Sequence, residues 1–143
     1  MNASGFDAKV LGTKPGSASS VKMIRSVLIK GVEALGVEAY VTAERQGILK
    51  EVMGCMGDVD KTGFANFVGT LVQTHVVHAH RRWEEMGLVG KTLRETGVDP
   101  LMTTSTERSL RRTVDAGIAP ADGKVPSLDE ALKILSEKVI RGR

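Results

Sequence analysis

Aromatic residues are nearly missing from this chain: they make up 3% of its 143 residues, and Trp83 is the one tryptophan. A core must then be filled by aliphatic and methionine side chains. There is a single cysteine, Cys55, so no internal disulfide can form and no cysteine-based metal spacing exists. Its plain reading is a free, buried thiol. No apolar run reaches the roughly 20 residues of a membrane span, and the N-terminus has no signal-peptide core. No membrane partner is expected, and the cytoplasm is the expected compartment. Also missing are G-x-G-x-x-G after a strand, a P-loop, H-E-x-x-H and G-x-S-x-G. The chain therefore carries no recognisable nucleotide-binding element of its own.

A charge bias is missing too. The 20 basic and 17 acidic residues leave a formal net charge of +3. Basic pairs at Arg81-Arg82 and Arg111-Arg112, and the Arg141-Arg143 end, are scattered, and few aromatics stand by to stack on bases. Nucleic-acid binders usually gather such charge on one face, so a solvated surface is the reading and no nucleic-acid partner is expected.

What is present is mostly helix. Hydrophobic residues are 41% and charged residues 26%, the balance of a globular domain. Residues 6–11, FDAKVL, alternate loosely and read as a short strand. Nothing else in the chain reads as its partner, so its backbone groups must pair elsewhere or stay unordered. Pro15 disfavours helix before it, and Ser17 or Ser19 can cap the next helix. Residues 18–46 read as one long helix. Val21, Ile24, Val27, Leu28, Gly31, Leu35, Ala39 and Thr42 spread over more than half its circumference, which predicts a central, buried helix. Next come a short helix between Gly47 and Gly57, a turn at DVDK, and a third helical region over 62–96. Gly69, Gly87 and Gly90 are candidate breaks in that region, and Gly97 with Pro100 ends it. Two capping boxes, Thr104 to Glu107 and Ser127 to Glu130, mark the last two helices. The fold class is all-α, with one orphan strand.

Two polar groups stand out. Stepping along the long helix from Lys22 gives Ser26, Lys30 and Glu33, a polar stripe on an apolar helix. The stripe is either a solvated face, with Lys30 and Glu33 as an ordinary surface pair, or a cleft wall. In a cleft, the positive end of the helix dipole and partial desolvation would both loosen the hold of Lys22 on its proton, as a general acid/base requires. The run THVVHAHRR holds all three histidines. His75 and His78 are three apart and His80 points away, so no metal is expected. His78, Arg81 and Arg82 share a face with Thr74. They form either a helix surface with a packed histidine or a grip for an anion. Trp83 and Met86 read as core or interface packing.

The segment KPGSASSVKMIRSVLIKGVEALGVEAYVTAERQGI resembles the start of the C-terminal helical domain of the β-hydroxyacid dehydrogenases. That superfamily includes the 3-hydroxyisobutyrate and 6-phosphogluconate dehydrogenases. The likeness rests on the turn Gly16-Ser17-Ala18, Lys22, and the pair Glu38-Ala39. KGVEAL, HRRWEEM and LRETGVDPLMT are similar to a phosphogluconate-dehydrogenase-like branch with a C-terminal domain of unknown function. The resemblance implies a 6-phosphogluconate dehydrogenase C-terminal-like bundle around one long central helix, with Lys22 as the acid/base. It implies a small anionic hydroxy or oxo substrate, with Ser17, Arg25, Ser26, Lys30, His78, Arg81 and Arg82 as candidate contacts. Ser26 stands where that family usually has asparagine. Arg25 and Ile29 replace a histidine and an acid of the 6-phosphogluconate enzymes, which speaks against that substrate. NAD(P) binds the family's N-terminal Rossmann domain. Residues 1–15 are then expected as the last strand and linker of that domain, missing here or supplied in trans. Residues 16–143 are expected as a substrate-binding domain that forms a homodimer, inactive by itself. The other reading is a helical interaction module without catalysis.

Overall fold

The computed structural model describes residues 17–141, and among them every regular element is a helix. The expected strand at 6–11 lies outside the described residues. In chain order the helices are α1 (Ser17–Arg45), α2 (Leu49–Gly54), α3 (Gly57–Thr62), α4 (Phe64–Glu95), α5 (Leu101–Asp115) and α6 (Leu128–Lys138). No helix among the described residues is long and apolar enough to cross a membrane. The chain divides into two compact units within α1, between Gly36 and Val37.

In the first unit α1 begins at Ser17, so Ser19 lies inside the helix and is not its cap. The expected burial is not found. Val27 is 73% exposed, Met23 and Ile24 are 67% exposed, and Val21, Leu28 and Val32 are exposed as well. Apolar periodicity records that a helix has a surface to bury. It does not say which molecule covers it.

The second unit is built on α4, which packs along α5 and α6 and receives α3 at its start. Its core is small-residue and aliphatic, as the scarcity of aromatics required: Ala43, Val76, Ala79, Leu93, Leu110, Ala131 and Val139 are buried. The glycines of α4 do not split it. A Cβ at Gly69 would lie 3.9 Å from Leu128, and one at Gly90 would lie 3.8 Å from the Thr103 methyl. They mark where α6 and α5 pass close to α4, and packing there offsets a helix cost of about 1 kcal/mol per glycine. The expected turn at DVDK is helical instead. It forms part of α3, whose first turn carries Asp58 and Asp60, where negative charge meets the positive end of the helix.

The end of α4 is closed as predicted. Gly97 takes φ of +72°, the Gly97 N–H reaches the Arg94 carbonyl, and the Val98 N–H reaches that of Leu93. That is a Schellman motif, and it needs glycine at the left-handed position. Arg45 Nη1 adds a bond of 3.0 Å to the Thr96 carbonyl.

The capping box of α6 forms. Ser127 Oγ accepts the Glu130 N–H at 3.3 Å, and Glu130 Oε2 accepts the Ser127 N–H at 2.8 Å. The box expected at Thr104 does not. Helix α5 begins three residues earlier, at Leu101, and Thr104 already donates its N–H to the Pro100 carbonyl inside the helix. The cap comes from Glu38, 8% exposed. Its carboxylate accepts the Met102 N–H, the Thr103 N–H at 3.0 Å and the Thr103 hydroxyl at 2.7 Å. Burial pushes the Glu38 carboxyl up. The hydrogen bonds from Met102 and Thr103 outweigh it and hold the group below its usual range.

Candidate functional site

The candidate residues fall in two places, one in each unit. Lys22 is exposed, just over one turn into α1. Its position near the helix start agrees with expectation, but its side chain is exposed where partial desolvation was expected. Among the described residues its Nζ has no hydrogen-bond or ion-pair partner. Its backbone carbonyl accepts the Ser26 hydroxyl at 3.0 Å. Lys30 turns to Glu33 at 2.9 Å, with side chains 75% and 62% exposed, which is the ordinary surface pair. Arg25 is exposed beside them, and Ser17 opens the helix.

The second place is on α4. The sequence put His78, Arg81 and Arg82 on one face; the structure separates them. Arg81 points outward and pairs with Glu85 at 3.4 Å. His78 is half-buried and does not line the cavity that Arg82 lines. The histidine that does is His75. An open cleft of about 510 Å³ lies between α4, α5 and the end of α6, walled by Val68, Leu71, Met86, Leu110, Leu135 and Ile140. Residues seven apart on a helix differ by only about 20° around the axis. His75 and Arg82 therefore reach the same wall two turns apart. That spacing is the signal in the sequence for the pair, and the short spacing of His75 to His78, which suggests only a metal ligand, hides it.

The polar geometry of the cleft is defined. His75 Nε2 lies 2.8 Å from Thr113 Oγ1. Arg82 Nη2 donates to Thr74 Oγ1 at 2.8 Å, and Nη1 donates to the Leu71 carbonyl at 3.4 Å. Burial first, then the charges of Arg82 and Arg112, hold His75 below its ordinary range, so its ring is neutral at pH 7. Burial first, then Arg81, lowers Arg82 as well, against an opposing pull from Glu85. Its guanidinium stays charged at any physiological pH. The site can hold an anion on a charged donor set beside an apolar wall.

Outside the cleft, the Arg111 guanidinium stacks 4.6 Å over the Trp83 ring, a cation–π contact joining α5 to α4. Trp83 thus packs between helices, as expected. Cys55 is exposed, contrary to the expected burial, because it follows α2 at Gly54, and α2 has no buried residues. Among the described residues no three His, Cys, Asp or Glu side chains gather as they would around a metal ion.

Comparison with known proteins finds likeness over part of the chain. Residues 43–113 match the model of a family described as a domain of unknown function, DUF1932. The match covers just under half of the chain and takes in His75, Arg82 and Thr113, while Lys22 lies outside it. A curated protein of Methanothermus fervidus, described as "Uncharacterized 28.5 kDa protein in 7S RNA 5'region", is 26% identical over 107 residues. That alignment covers 75% of this chain and 43% of the relative, so the chain spans less than half the relative's length. No solved structure matches the chain.

Proposed function

We propose that this chain is the substrate-binding and dimerisation part of an NAD(P)-dependent β-hydroxyacid dehydrogenase of the cytoplasm, with Lys22 as the acid/base. The DUF1932 match supports the reading, because that domain is a C-terminal domain of this dehydrogenase family. The observation that carries it is the start of α1. Lys22 stands just over one turn into the helix that begins at Ser17, with its ε-amine exposed and unpartnered among the described residues. In its neutral form that amine accepts the proton of a substrate hydroxyl as the carbon is oxidised, and in the reverse direction it returns the proton. Arg25, exposed on the same stretch, suits an acidic group on the substrate.

The residues present do not fit NAD(P). There is no glycine-rich strand–turn–helix in the sequence, so in this reading the nucleotide is held by a Rossmann domain outside them. The exposed apolar residues of α1, Met23, Ile24 and Val27 among them, support a homodimer that covers them. In the protein that joins this segment to a nucleotide-binding domain, Lys22→Ala is expected to lower kcat by about 10²- to 10⁴-fold, with an unchanged circular-dichroism spectrum. A variant that turns over at the wild-type rate overturns the assignment.

The second reading is a helical interaction module without catalysis. It is favoured by Ser26, which stands in the usual asparagine position and spends its hydroxyl on the Lys22 carbonyl. Full activity without Lys22, or none in any nucleotide-bound form of the intact protein, would select it.

A further inference from the structure

We infer that the cleft walled by α4, α5 and the end of α6 binds an apolar monocarboxylate, its acid group on Arg82 and its hydrocarbon body along Leu71, Met86, Leu110, Leu135 and Ile140. The cleft belongs to the second unit and owes nothing to Lys22. Its volume of about 510 Å³ lies within the range of small-molecule pockets, which are mostly apolar with a few placed polar groups.

The charge count in the cleft selects the ligand class. Its charged lining residues are Arg82 and Glu85. Glu85 is engaged by Arg81 at 3.4 Å. Arg82 is half-buried and makes no ion pair among the described residues. Its two bonds go to a hydroxyl and a backbone carbonyl, both neutral. A guanidinium has five N–H donors, so donors remain for a ligand; Glu85 pulls on Arg82 but already pairs with Arg81, and a partly desolvated charge without a direct ion pair is costly. The other arginine charges nearby are Arg81 and Arg112, and both bear on the site, Arg81 through Arg82 and Arg112 through His75. With Glu85 drawn to Arg81, an arginine without a direct ion pair, a neutral imidazole and an aliphatic wall complement one negative charge carried on an apolar body. A cation is repelled, and a compact dianion gains nothing from the wall.

The test is a titration of the full chain, followed by ¹H–¹⁵N and methyl NMR at pH 7.5, with decanoate kept below its micellar range. Decanol supplies the same tail without charge, acetate the charge without the tail, and decyl phosphate a doubly charged head. Saturable decanoate binding is expected, with shifts centred on Leu110, Leu135 and Met86, decanol weaker and acetate silent. Arg82→Gln should weaken decanoate by about tenfold, the value of a charge-assisted bond over a neutral one. Leu135→Trp, which fills the cleft while keeping Arg82, should abolish binding. A carboxylate seated beside His75 should raise the midpoint of its ring titration, and Arg82→Gln should remove that rise. Absence of saturation, equal binding to wild type and Arg82→Gln, a preference for decyl phosphate, or a cleft closed by a second copy would each overturn the inference. The titration needs no nucleotide and no turnover, so its failure leaves the dehydrogenase reading standing, and the converse holds.

Discussion

At the start of α6, Ser127 closes its capping box with Glu130, three residues away. At the start of α5 the equivalent work is done by Glu38, 64 residues before its Met102 partner. Both helices carry the same local signature, a hydroxyl residue followed three positions later by glutamate. In α6 that signature is the cap. In α5 it is bypassed, because an ionised carboxylate facing three donors at the positive end of the helix stabilises more than one threonine hydroxyl can. The helix start moves back to Leu101 to meet it. The first turn of α5 has no acidic residue of its own, so the charge arrives from α1.

The sharpest break of this comparison is Glu38→Ala. It leaves the Met102 and Thr103 N–H groups without partners at a partly buried helix start, and a loss of about 2–4 kcal/mol is expected. Chemical denaturation measures it, and a loss below about 0.5 kcal/mol would show that water replaces the cap.

A pH series sharpens the same point. The Glu38 carboxyl is lowered from the 4.5 of a free glutamate. Its folded form therefore binds a proton less readily than its unfolded form. Its stabilisation is fully present above about 4.5 and is lost as pH falls through the lower, folded value. Wild type should then lose its advantage over Glu38→Gln progressively below pH 4.5, as read by urea midpoints. Glu130, lowered by the Ser127 N–H and hydroxyl, acts in the same direction, so the comparison is made in a Glu130→Gln background. A constant gap across the series would detach the cap from the charge.

The two helix starts also explain what is legible in the sequence. The Ser127 box, the Gly97 stop and the run of helices rest on contacts within a few residues, and local chemistry decides them. Glu38 stands out in the sequence only as half of the Glu38-Ala39 pair on which the resemblance rests, because its partners lie on another helix. The site divides in the same way. Lys22 is marked by the Gly-Ser-Ala run before it in the sequence and by its position near the helix start. The partnership of His75 and Arg82 needs the two-turn spacing together with the walls that α5 and α6 supply, and no pattern on α4 shows those walls. The apolar face of α1 is legible as a surface needing cover, while its exposure is not legible from the periodicity.

A smaller effect is expected at the local cap. Ser127→Ala removes the acceptor for the Glu130 N–H and the hydroxyl bond to the Glu130 carboxylate, leaving the backbone N–H of residue 127 on Glu130, for a loss of about 1 kcal/mol, measured by urea denaturation. The loss should stay confined to α6, with amide exchange in α5 unchanged. Faster exchange at Met102 and Thr103 would mean that the two starts are coupled.

The smallest expected effect is at Thr104, and it discriminates most directly. If Thr104 were the cap that the local pattern describes, Thr104→Ala would cost about as much as Ser127→Ala. Instead its N–H is already paired with the Pro100 carbonyl at 2.8 Å, and Glu38 holds the turn before it. A change within about 0.5 kcal/mol is expected, of either sign, since alanine is also the better residue inside a helix. The double variant Glu38→Ala, Thr104→Ala completes the test. Once Glu38 is gone, the Thr104 hydroxyl becomes the nearest local acceptor, and the helix can restart at the capping box. Thr104→Ala should therefore cost more in the Glu38→Ala background than in wild type. Equal costs in the two backgrounds would show that the box never forms, even when the long-range cap is removed.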